Sequence, residues 1–592
     1  MNNARLADLR AELARQGLDG FIVPRADEHL GEYVPQNAER LAWLTGFTGS
    51  AGLAVVLPGH ACAFTDGRYV LQLAAQTDGA VWERRHITEE PPAAWIAGHV
   101  AAGARIGYDP LLISEEALGR FTEAGLTMLA TARNPIDAVW TDRPAPPLAP
   151  ATPYPLALAG RESADKRAEI AALLRTAGEA AAVLTDPASI AWLLNIRGGD
   201  VPYTPFALAF ALLHEDGRCA LFMDPAKLPP ETRAWLGNQV TVQDRAGLAP
   251  ALAGLAGRRV RVDPAGAPAW FAQTLRAAGA EVAAAMDPCL LAKACKNPVE
   301  QDGIRRAHAR DAVAVCRFLH WLDGAAGPGG DGPVSEMSAA ARLLAFRAEL
   351  DGFRGESFSA ISGAGEHGAI IHYRATTATD RPIRADEAYL IDSGGQFEDG
   401  TTDITRTVWT GPGTPPAALR DHFTRVLKGH IAVATLVFPQ GLCGPHIDGF
   451  ARAALWQAGL DYDHGTGHGV GAYLSVHEGP VSLSRAARMV PLAAGMVLSD
   501  EPGFYLPGQY GIRLENLLLV QPAGLAAPRP FLRFETLSLA PFDRRLLDNA
   551  LLTAPEVAWL DAYHARVLAE TSGHLPPEAA AWLAAACAPL RH

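Results

Sequence analysis

Hydrophobic residues at helical spacing open the chain and are followed by a strand-like run. The helical positions are Leu6, Leu9 and Leu13. Gly17 ends this predicted helix, because glycine commonly takes the left-handed position just past a helix end. Residues 18–24 then predict a strand. The chain therefore begins as an α/β unit.

A second copy of this pattern lies in the same half of the chain. Residues 41–49, LAWLTGFTG, return in altered form as residues 190–198, IAWLLNIRG, again after an amphipathic helix. The proline-rich residues 144–155 separate the copies and favour extended, semi-rigid backbone. The pattern predicts two related domains, residues 1–150 and 151–295.

Residues 296–592 predict a third domain, which begins with a long helix. Asn297 as N-cap, followed by Pro298 at the first helical position, is typical of a helix start. The apolar face of this helix consists of Ile304, Ala307, Val315, Leu319 and Leu322. Such a face predicts burial against the rest of the domain.

After residue 357 the pattern changes to short strands rich in Ile, Val, Thr and Tyr. Helices are predicted between them at residues 416–437 and 447–458, and further helices form an extension from about residue 546. The predicted fold class is α/β (α+β): the two N-terminal domains are α/β, and the third domain combines short strands with helices.

Alternation along the predicted strands directs polar side chains inward. Asp392 shares a face with Leu390 in the strand 388–393, and Glu515 shares one with Arg513 in a predicted strand covering residues 511–520. Residues 369–373 predict another strand, which carries His372. A carboxylate on an apolar face costs several kcal/mol unless a cation compensates it.

Four carboxylates and one histidine point to a metal centre. Asp392, Asp403, Glu501 and Glu515 together neutralise two divalent ions, and one histidine of the HGTGH motif, His464 or His468, can supply an imidazole. Mostly oxygen ligands favour Mn²⁺, with Mg²⁺, Co²⁺ or Fe²⁺ as alternatives, over thiolate-bound zinc. The glycines between His464 and His468 disfavour a helix, so only one of these two histidines needs to bind metal.

Net charge and cysteine content limit the classes of binding partner and indicate the cellular compartment. The net charge is −13 without a block of Lys or Arg, which argues against a nucleic-acid or anionic-membrane partner. The N-terminus lacks the apolar core of a secretory signal, and no apolar stretch is long enough to span a bilayer. Seven scattered cysteines without a C-x-x-C pair indicate reduced thiols in a cytoplasmic protein.

Two glycine-rich segments are poor candidates for nucleotide sites. Residues 363–368 fit the pattern G-x-G-x-x-G, but the next segment is predicted to be a strand rather than a helix, so no helix N-terminus would face a pyrophosphate. Residues 324–332 lack the Gly-Lys-Ser/Thr ending of a phosphate loop and are interpreted as a linker.

These motifs closely resemble those of Xaa-Pro aminopeptidases (aminopeptidase P) in their long, three-domain cytosolic form, within the pita-bread metallopeptidases. The resemblance implies two creatinase-type N-terminal domains, a pita-bread catalytic domain and two metal ions. It implies that Asp403 and Glu515 bridge the ions, that Asp392 completes one site, and that His468 and Glu501 complete the other.

The same resemblance implies roles for the neighbouring residues. Substrate-handling and site-wall residues would be His372, His464, His477, Arg513 and Tyr505. A bridging hydroxide would attack the carbonyl of the first residue, with His477 stabilising the oxyanion and Glu501 carrying the proton to the proline nitrogen. The implied substrates are peptides that begin Xaa-Pro, and a homodimer is expected from the family and from apolar helices around Trp559 and Trp582.

Three alternatives come from related or different classes. A creatinase-like amidinohydrolase works without metal, and a non-catalytic peptidase-fold module that binds peptides would have lost ligands, so the complete ligand set disfavours both. A prolidase-type Xaa-Pro dipeptidase uses the same five ligands. Prolidases usually lack a second N-terminal domain, which favours the aminopeptidase.

Overall fold

The computed structural model describes residues 2–326 and 334–590, so most of the predicted linker 324–332 lies outside the described residues. The chain divides into two compact units, residues 1–290 and 291–592. Within the described residues, no helix combines the length and the apolar character needed to traverse a bilayer.

The first unit contains two sheets with the same strand order. One sheet has the order β4-β3-β2-β1-β5-β6, with strands β1 Gly20–Pro24, β2 Leu53–Val56, β3 Ala61–Thr65, β4 Glu83–His86, β5 Arg105–Tyr108 and β6 Thr127–Ala130. The other has the order β12-β11-β10-β8-β13-β14, and its strands, with the short pair β7 and β9, are β7 Thr152–Pro153, β8 Ala181–Leu184, β9 Ile196–Arg197, β10 Phe210–His214, β11 Cys219–Phe222, β12 Val240–Gln243, β13 Arg259–Val262 and β14 Glu281–Ala284.

Helices cover these sheets. The helices associated with the first sheet are α1 Asn2–Arg15, α2 Arg40–Thr45, α3 Val70–Gln76, α4 Pro92–His99, α5 Glu115–Glu123 and α6 Pro135–Val139. The next helices along the chain are α7 Leu156–Ala159, α8 Ser163–Thr176, α9 Pro187–Leu194, α10 Pro230–Leu236, α11 Leu248–Ala253, α12 Ala269–Ala277 and α13 Cys289–Ala294.

The predicted internal repeat is confirmed by this topology. In both sheets the central strand pairs antiparallel with one neighbour and parallel with the other, as in β1 with β2 and β5, and β8 with β10 and β13. The first helix buries Leu6, Leu9 and Leu13, and Gly17 has a φ of +68°. The repeated motif forms α2 in one copy and α9 in the other.

The second unit combines helices with antiparallel sheets. Its helices are α14 Pro298–Ala325, α15 Glu336–Ala348, α16 Ala417–Ala434, α17 Gly444–Trp456, α18 Ala554–Thr571 and α19 Pro577–Ala586. Its strands are β15 Phe353–Glu356, β16 Ile361–Ala364, β17 Ala388–Ser393, β18 Gly395–Phe397, β19 Gly400–Thr401, β20 Ile404–Trp409, β21 Val437–Pro439, β22 Gly467–Gly469, β23 Glu478–Leu483, β24 Val497–Asp500, β25 Gly503–Leu506, β26 Tyr510–Arg513, β27 Asn516–Pro522 and β28 Phe531–Thr536.

The strands of this unit form one six-stranded sheet and several smaller sheets. The largest has the order β21-β28-β27-β24-β22-β23, and smaller sheets are formed by β16-β17-β20, β15-β18-β19 and β25-β26. Helix α14 begins as predicted: Asn297 caps the amides of residues 299 and 300, and Glu300 completes a capping box. Its predicted inner face is buried throughout.

Three local predictions were wrong. The helix predicted for 416–437 ends at Ala434, and Val437 starts strand β21. The predicted strand 511–520 is two strands, β26 and β27, because Leu514 and Glu515 leave the ladder to bond with the backbone of Pro502 and Thr405.

The predicted strand 369–373 is also absent, because Gly365–Ala369 forms a 3₁₀ segment that leads into a turn. The buried carboxylate of Glu336 holds this segment by accepting hydrogen bonds from the Ala364 amide, from His367 and from the Tyr373 hydroxyl. His372 therefore lies in a turn rather than in a strand. Because the 3₁₀ segment is short, the glycine motif at residues 363–368 still lacks the long helix of a dinucleotide site.

Candidate metal centre

Two aspartates reach the site from neighbouring strands. Asp392 is the fifth residue of β17 and pairs across the ladder with Thr405 of β20. Asp403 directly precedes β20. Both are buried, with residue exposures of 7% and 3%. The β17–β20 pairing therefore brings two carboxylates to the same edge of the small sheet.

The other predicted ligands come from the large sheet and from the strand break. His468 is in the middle of β22, Glu501 directly follows β24, and Glu515 occupies the break between β26 and β27. One ligand atom each from Asp403, His468 and Glu515 lies within 4.8 Å of the others. The His468 Nε2 atom is 3.5 Å from Asp403 Oδ2 and 3.6 Å from Glu501 Oε1.

Burial shifts the pKa values of three carboxylates upward, and their neighbouring carboxylates add to the shift. Burial raises the pKa of Asp392 to about 6; Arg513 opposes this shift, and the charges of Asp403 and Glu501 add to it. Burial, together with the neighbouring carboxylates, also raises the pKa values of Glu501 and Glu515. A cation at this place would relieve the repulsion.

The same carboxylates also change the pKa of His468. Burial disfavours its charged form, but the contacts with Asp403 and Glu501 outweigh burial and raise the pKa of His468 to about 9. The cluster thus attracts positive charge strongly enough to hold a proton on this ring. A divalent ion would compete with that proton, as metal binding to imidazole generally does.

Unpartnered oxygens show that the cluster fits a metal. Within the described residues, Asp392 Oδ1, Asp403 Oδ1 and Glu515 Oε1 are buried and accept no hydrogen bond. The second oxygen of two of these carboxylates is held: Arg513 donates to Asp392 Oδ2 at 2.7 Å, and Thr405 donates to Glu515 Oε2 at 2.7 Å. Buried oxygens without donors are costly, and a hard divalent cation satisfies them.

A chain of polar side chains lies beside the cluster. The Tyr505 hydroxyl is 2.8 Å from His464 Nε2 and accepts a hydrogen bond of 2.8 Å from Arg513 Nη1. Burial, opposed by Arg513, raises the pKa of Tyr505 to about 12, so the hydroxyl keeps its proton. Arg513 also donates a hydrogen bond to Asp392. A series of hydrogen bonds therefore connects His464, through Tyr505 and Arg513, to a predicted metal ligand.

His477 and His372 complete the predicted set. The ring of His477 lies 4.3 Å from that of His468, nearly perpendicular to it. His372 lies in the turn after the 3₁₀ segment Gly365–Ala369. This segment contacts β26, which carries Arg513, by close approach of Gly368 and Gly511: a Cβ on Gly511 would lie 1.7 Å from the Gly368 carbonyl oxygen.

Several residues that position the site were not identified from the sequence. Ser499 accepts a hydrogen bond from the His468 amide and donates one to Glu501 Oε1 at 3.3 Å. Arg452, paired with Asp448, donates to the carbonyl of His464. Signals for them were weak, because serine in a strand and an i, i+4 Asp–Arg pair on a helix are common on surfaces.

Glu478 is a further buried carboxylate, directly after His477. Its two oxygens form ion pairs with Lys293 at 2.9 Å and with Lys296 at 2.5 Å, and all three side chains are at most 2% exposed. Burial disfavours its charge, but the two lysines outweigh burial and lower the pKa of Glu478. The triad thus fixes the backbone beside His477.

Arg406 holds the backbone of two residues beside the cluster. This arginine is 1% exposed and donates to the carbonyl oxygens of Thr405 and Glu515. Its remaining donors go to neutral oxygens of the side chains of Asn516 and Tyr563 and of the backbone at residues 540 and 541. It therefore joins the strands that carry the predicted ligands to helix α18.

Family models match four consecutive parts of the chain. Two different models of the Creatinase/Prolidase N-terminal domain match residues 5–129 and 142–300, metallopeptidase family M24 matches residues 302–522, and the C-terminal region of peptidase M24 matches residues 530–590. Xaa-Pro aminopeptidase 2 of Sus scrofa is 37% identical over 95% of this chain and 84% of its own length. The chain belongs to metallopeptidase family M24, within its aminopeptidase P group.

Two further relatives are similar over nearly the whole chain, and one solved structure is similar over part of it. Aminopeptidase P1 of Arabidopsis thaliana is 37% identical over 95% of both chains. The crystal structure of an X-prolyl aminopeptidase from Caenorhabditis elegans, described as a cytosolic enzyme with a di-nuclear active site, superposes with a TM-score of 0.94 at 33% identity and covers both chains completely. An X-Pro aminopeptidase from Thermotoga maritima, 20% identical with a TM-score of 0.50, shares the fold over 63% of this chain.

Proposed function

We propose that this M24 family member is a metal-dependent aminopeptidase, which hydrolyses the bond between an N-terminal residue and a following proline. The observation that carries the proposal is the cluster of Asp403, His468 and Glu515, with its unpartnered buried oxygens, in a chain similar to Xaa-Pro aminopeptidases along its whole length. The family supplies the reaction, and the cluster supports the presence of its machinery in this chain.

Two divalent ions are the proposed cofactors, and Mn²⁺ is the proposed metal. The residues that would hold them are Asp392, Asp403, His468, Glu501 and Glu515. Four carboxylates and one imidazole form a hard, oxygen-rich donor set, which suits Mn²⁺ better than a thiolate-preferring metal. When bound, two such ions would activate a water for attack at neutral pH and polarise the scissile carbonyl.

The surrounding residues would position the peptide and move the proton. Glu501, whose pKa burial raises, is suited to take a proton and deliver it to the proline nitrogen. His477, beside His468, would donate to the developing oxyanion. His372, His464, Tyr505 and Arg513 would form the wall around the second residue.

The shape of that wall would supply proline specificity. The nitrogen of proline is a tertiary amide without hydrogen, so the site must accept a ring where other peptidases meet a donor. Arg513, fixed between Tyr505 and Asp392, is rigid enough to define such a pocket.

Prolidase-type dipeptidase activity is the alternative that shares the same ligands. The separate match of a second N-terminal domain at residues 142–300 supports the aminopeptidase. Digestion of Arg-Pro-Pro, Arg-Ala-Pro and Gly-Pro by metal-loaded protein, followed by mass spectrometry, tests both. We expect release of arginine from Arg-Pro-Pro alone; equal cleavage of Arg-Ala-Pro would contradict the proline pocket, and cleavage of Gly-Pro alone would favour a prolidase.

The proposal also covers the domain limits, the oligomeric state and the cellular location of the protein. Domain limits near residues 150 and 295 are supported by the family-model ranges 5–129, 142–300 and 302–522. The extension is proposed from about residue 546, whereas the model of the C-terminal region begins at residue 530. A cytoplasmic location is proposed because the similar X-prolyl aminopeptidase of Caenorhabditis elegans is described as a cytosolic enzyme, and a homodimer is proposed from the family resemblance. Trp559 stacks on Tyr563 and Trp582 donates to Asp323 within the same unit, so the dimer does not rest on these tryptophans. Light scattering that gives the 62.7 kDa of one chain would refute it.

A further inference from the structure

Two histidines and one glutamate meet at the edge of the first sheet, in the first unit. His60 follows the turn between β2 and β3, Glu83 is the first residue of the edge strand β4, and His99 is the last residue of α4. One ligand atom from each lies within 4.8 Å of the others. These residues belong to the first unit, whereas the five proposed ligands of the M24 centre belong to the second.

The spacing of these groups fits one tetrahedral ion. His60 Nδ1 is 3.4 Å from Glu83 Oε1, and the two imidazole rings are 4.8 Å apart. Bonds of about 2.0–2.2 Å to nitrogen and oxygen place neighbouring ligand atoms of a tetrahedral zinc about 3.4 Å apart. The side chains of His60 and Glu83 are 50% and 33% exposed, so an ion can enter from solvent.

Trp95 orients two of the three groups. Its carbonyl oxygen lies 2.7 Å from His99 Nδ1, and because a carbonyl only accepts, the proton is on Nδ1 and the lone pair is on Nε2. The indole nitrogen of Trp95 donates to Glu83 Oε2 at 3.3 Å, and Arg85 donates to the same oxygen at 3.1 Å. Oε1 of Glu83 is therefore the oxygen that faces His60.

The position of Trp95 is itself fixed by packing. It is buried, stacks on the His99 ring at 4.2 Å and meets Phe64 of β3 edge to face. The turn at His60 is held by hydrogen bonds to its carbonyl from the Leu57 amide and from Arg10. Supporting contacts of this kind fix the tautomer and the orientation of metal ligands.

We propose that His60, Glu83 and His99 form a zinc site on the first domain, separate from the M24 centre. Two imidazoles and one carboxylate are the donor set of three-ligand zinc sites, and they leave a fourth position for water. The softer, nitrogen-rich set selects a different ion from the oxygen-rich centre of the second unit. Bound zinc would connect the β2–β3 turn, the edge strand and helix α4.

Equilibrium dialysis of the full chain against buffered micromolar Zn²⁺, with bound metal counted by mass spectrometry, tests the site. We expect the wild-type protein to bind one ion per chain more than either His60→Ala or His99→Ala. His86→Ala, on the same edge strand but outside the cluster, is the matched control and should bind as many ions as the wild type. The centre of the second unit contributes equally to all four counts.

A structural measurement complements the count. In a zinc-loaded crystal, an anomalous peak should lie between His99 Nε2 and Glu83 Oε1 and should vanish in His99→Ala. Circular dichroism checks that these surface variants remain folded, and release of arginine from Arg-Pro-Pro should be unchanged in them. Equal zinc counts in wild type and His99→Ala, or binding of the additional ion only at millimolar Zn²⁺, would overturn the proposal.

Discussion

Replacing Glu478 by glutamine should strongly destabilise the second unit. The substitution removes the carboxylate that pairs with Lys293 and Lys296, both 2% exposed in their side chains. Removing one partner of a buried ion pair costs about 3–5 kcal/mol, because the remaining charge is uncompensated. For a unit of this size, about 2 °C per kcal/mol corresponds to a fall in Tm of about 6–10 °C.

A surface pair provides the matched control. Glu535 binds Arg305 in a bidentate pair whose side chains are 31% and 37% exposed, so Glu535→Gln should cost less than about 1 kcal/mol. Differential scanning calorimetry of wild type and both variants at neutral pH gives the comparison. A Glu478→Gln loss no larger than that of Glu535→Gln would refute the reasoning.

The pH dependence of this difference has a definite sign. The lysines lower the folded-state pKa of Glu478 below its unfolded value, although burial acts the other way. Stability from this carboxylate is therefore complete above the unfolded pKa of about 4.3 and is lost as pH falls through the folded value. The Tm difference between wild type and Glu478→Gln should be constant near neutrality and shrink in acid.

Three further outcomes are expected at the metal centre. Chelation should abolish hydrolysis of Arg-Pro-Pro and Mn²⁺ should restore it best; full activity in metal-free protein would contradict a metal mechanism. Asp403→Ala or Glu515→Ala should abolish turnover and reduce the bound metal, whereas His477→Ala should lower kcat by about 10²-fold or more with metal still bound, as for a lost oxyanion donor. Tyr505→Phe removes the hydroxyl between His464 and Arg513 and should lower kcat/KM for Xaa-Pro peptides by about 10-fold, the equivalent of about 1.4 kcal/mol; unchanged steady-state kinetics would exclude it from the substrate pocket.

Local patterns in the sequence were sufficient to predict the repeat, the start of α14 and a metal centre that contains Asp403, Glu515 and one histidine of the HGTGH motif. The resemblance to Xaa-Pro aminopeptidases selected His468 rather than His464. Each of the three local predictions depends on short-range signals: periodicity, a capping sequence, or carboxylates among apolar residues beside glycine. These signals reflect interactions between residues that are close in the chain, or the cost of burying charge.

The wrong predictions depend on tertiary contacts. Residues 369–373 have β-branched character but form a turn, because the close approach of Gly368 to Gly511 and the bonds to Glu336 determine their path. Glu515 leaves its strand because the Thr405 carbonyl accepts its amide hydrogen. The Glu478 triad was missed because Lys293 and Lys296, far from Glu478 in sequence, resemble ordinary surface lysines.

The contacts of Arg406 have a consequence for biosynthesis. Its guanidinium holds the backbone of Glu515, yet it also depends on Tyr563 of α18 for one of its acceptors. In a nascent chain that has not yet released residue 563 from the ribosome, Arg406 Nη2 would keep Asn516 and Ala540 as acceptors but would lack the Tyr563 hydroxyl and helix α18. The strands that carry the metal-binding residues are therefore expected to reach their final order only late in translation, so metal capture by the M24 centre would follow synthesis of the helical extension.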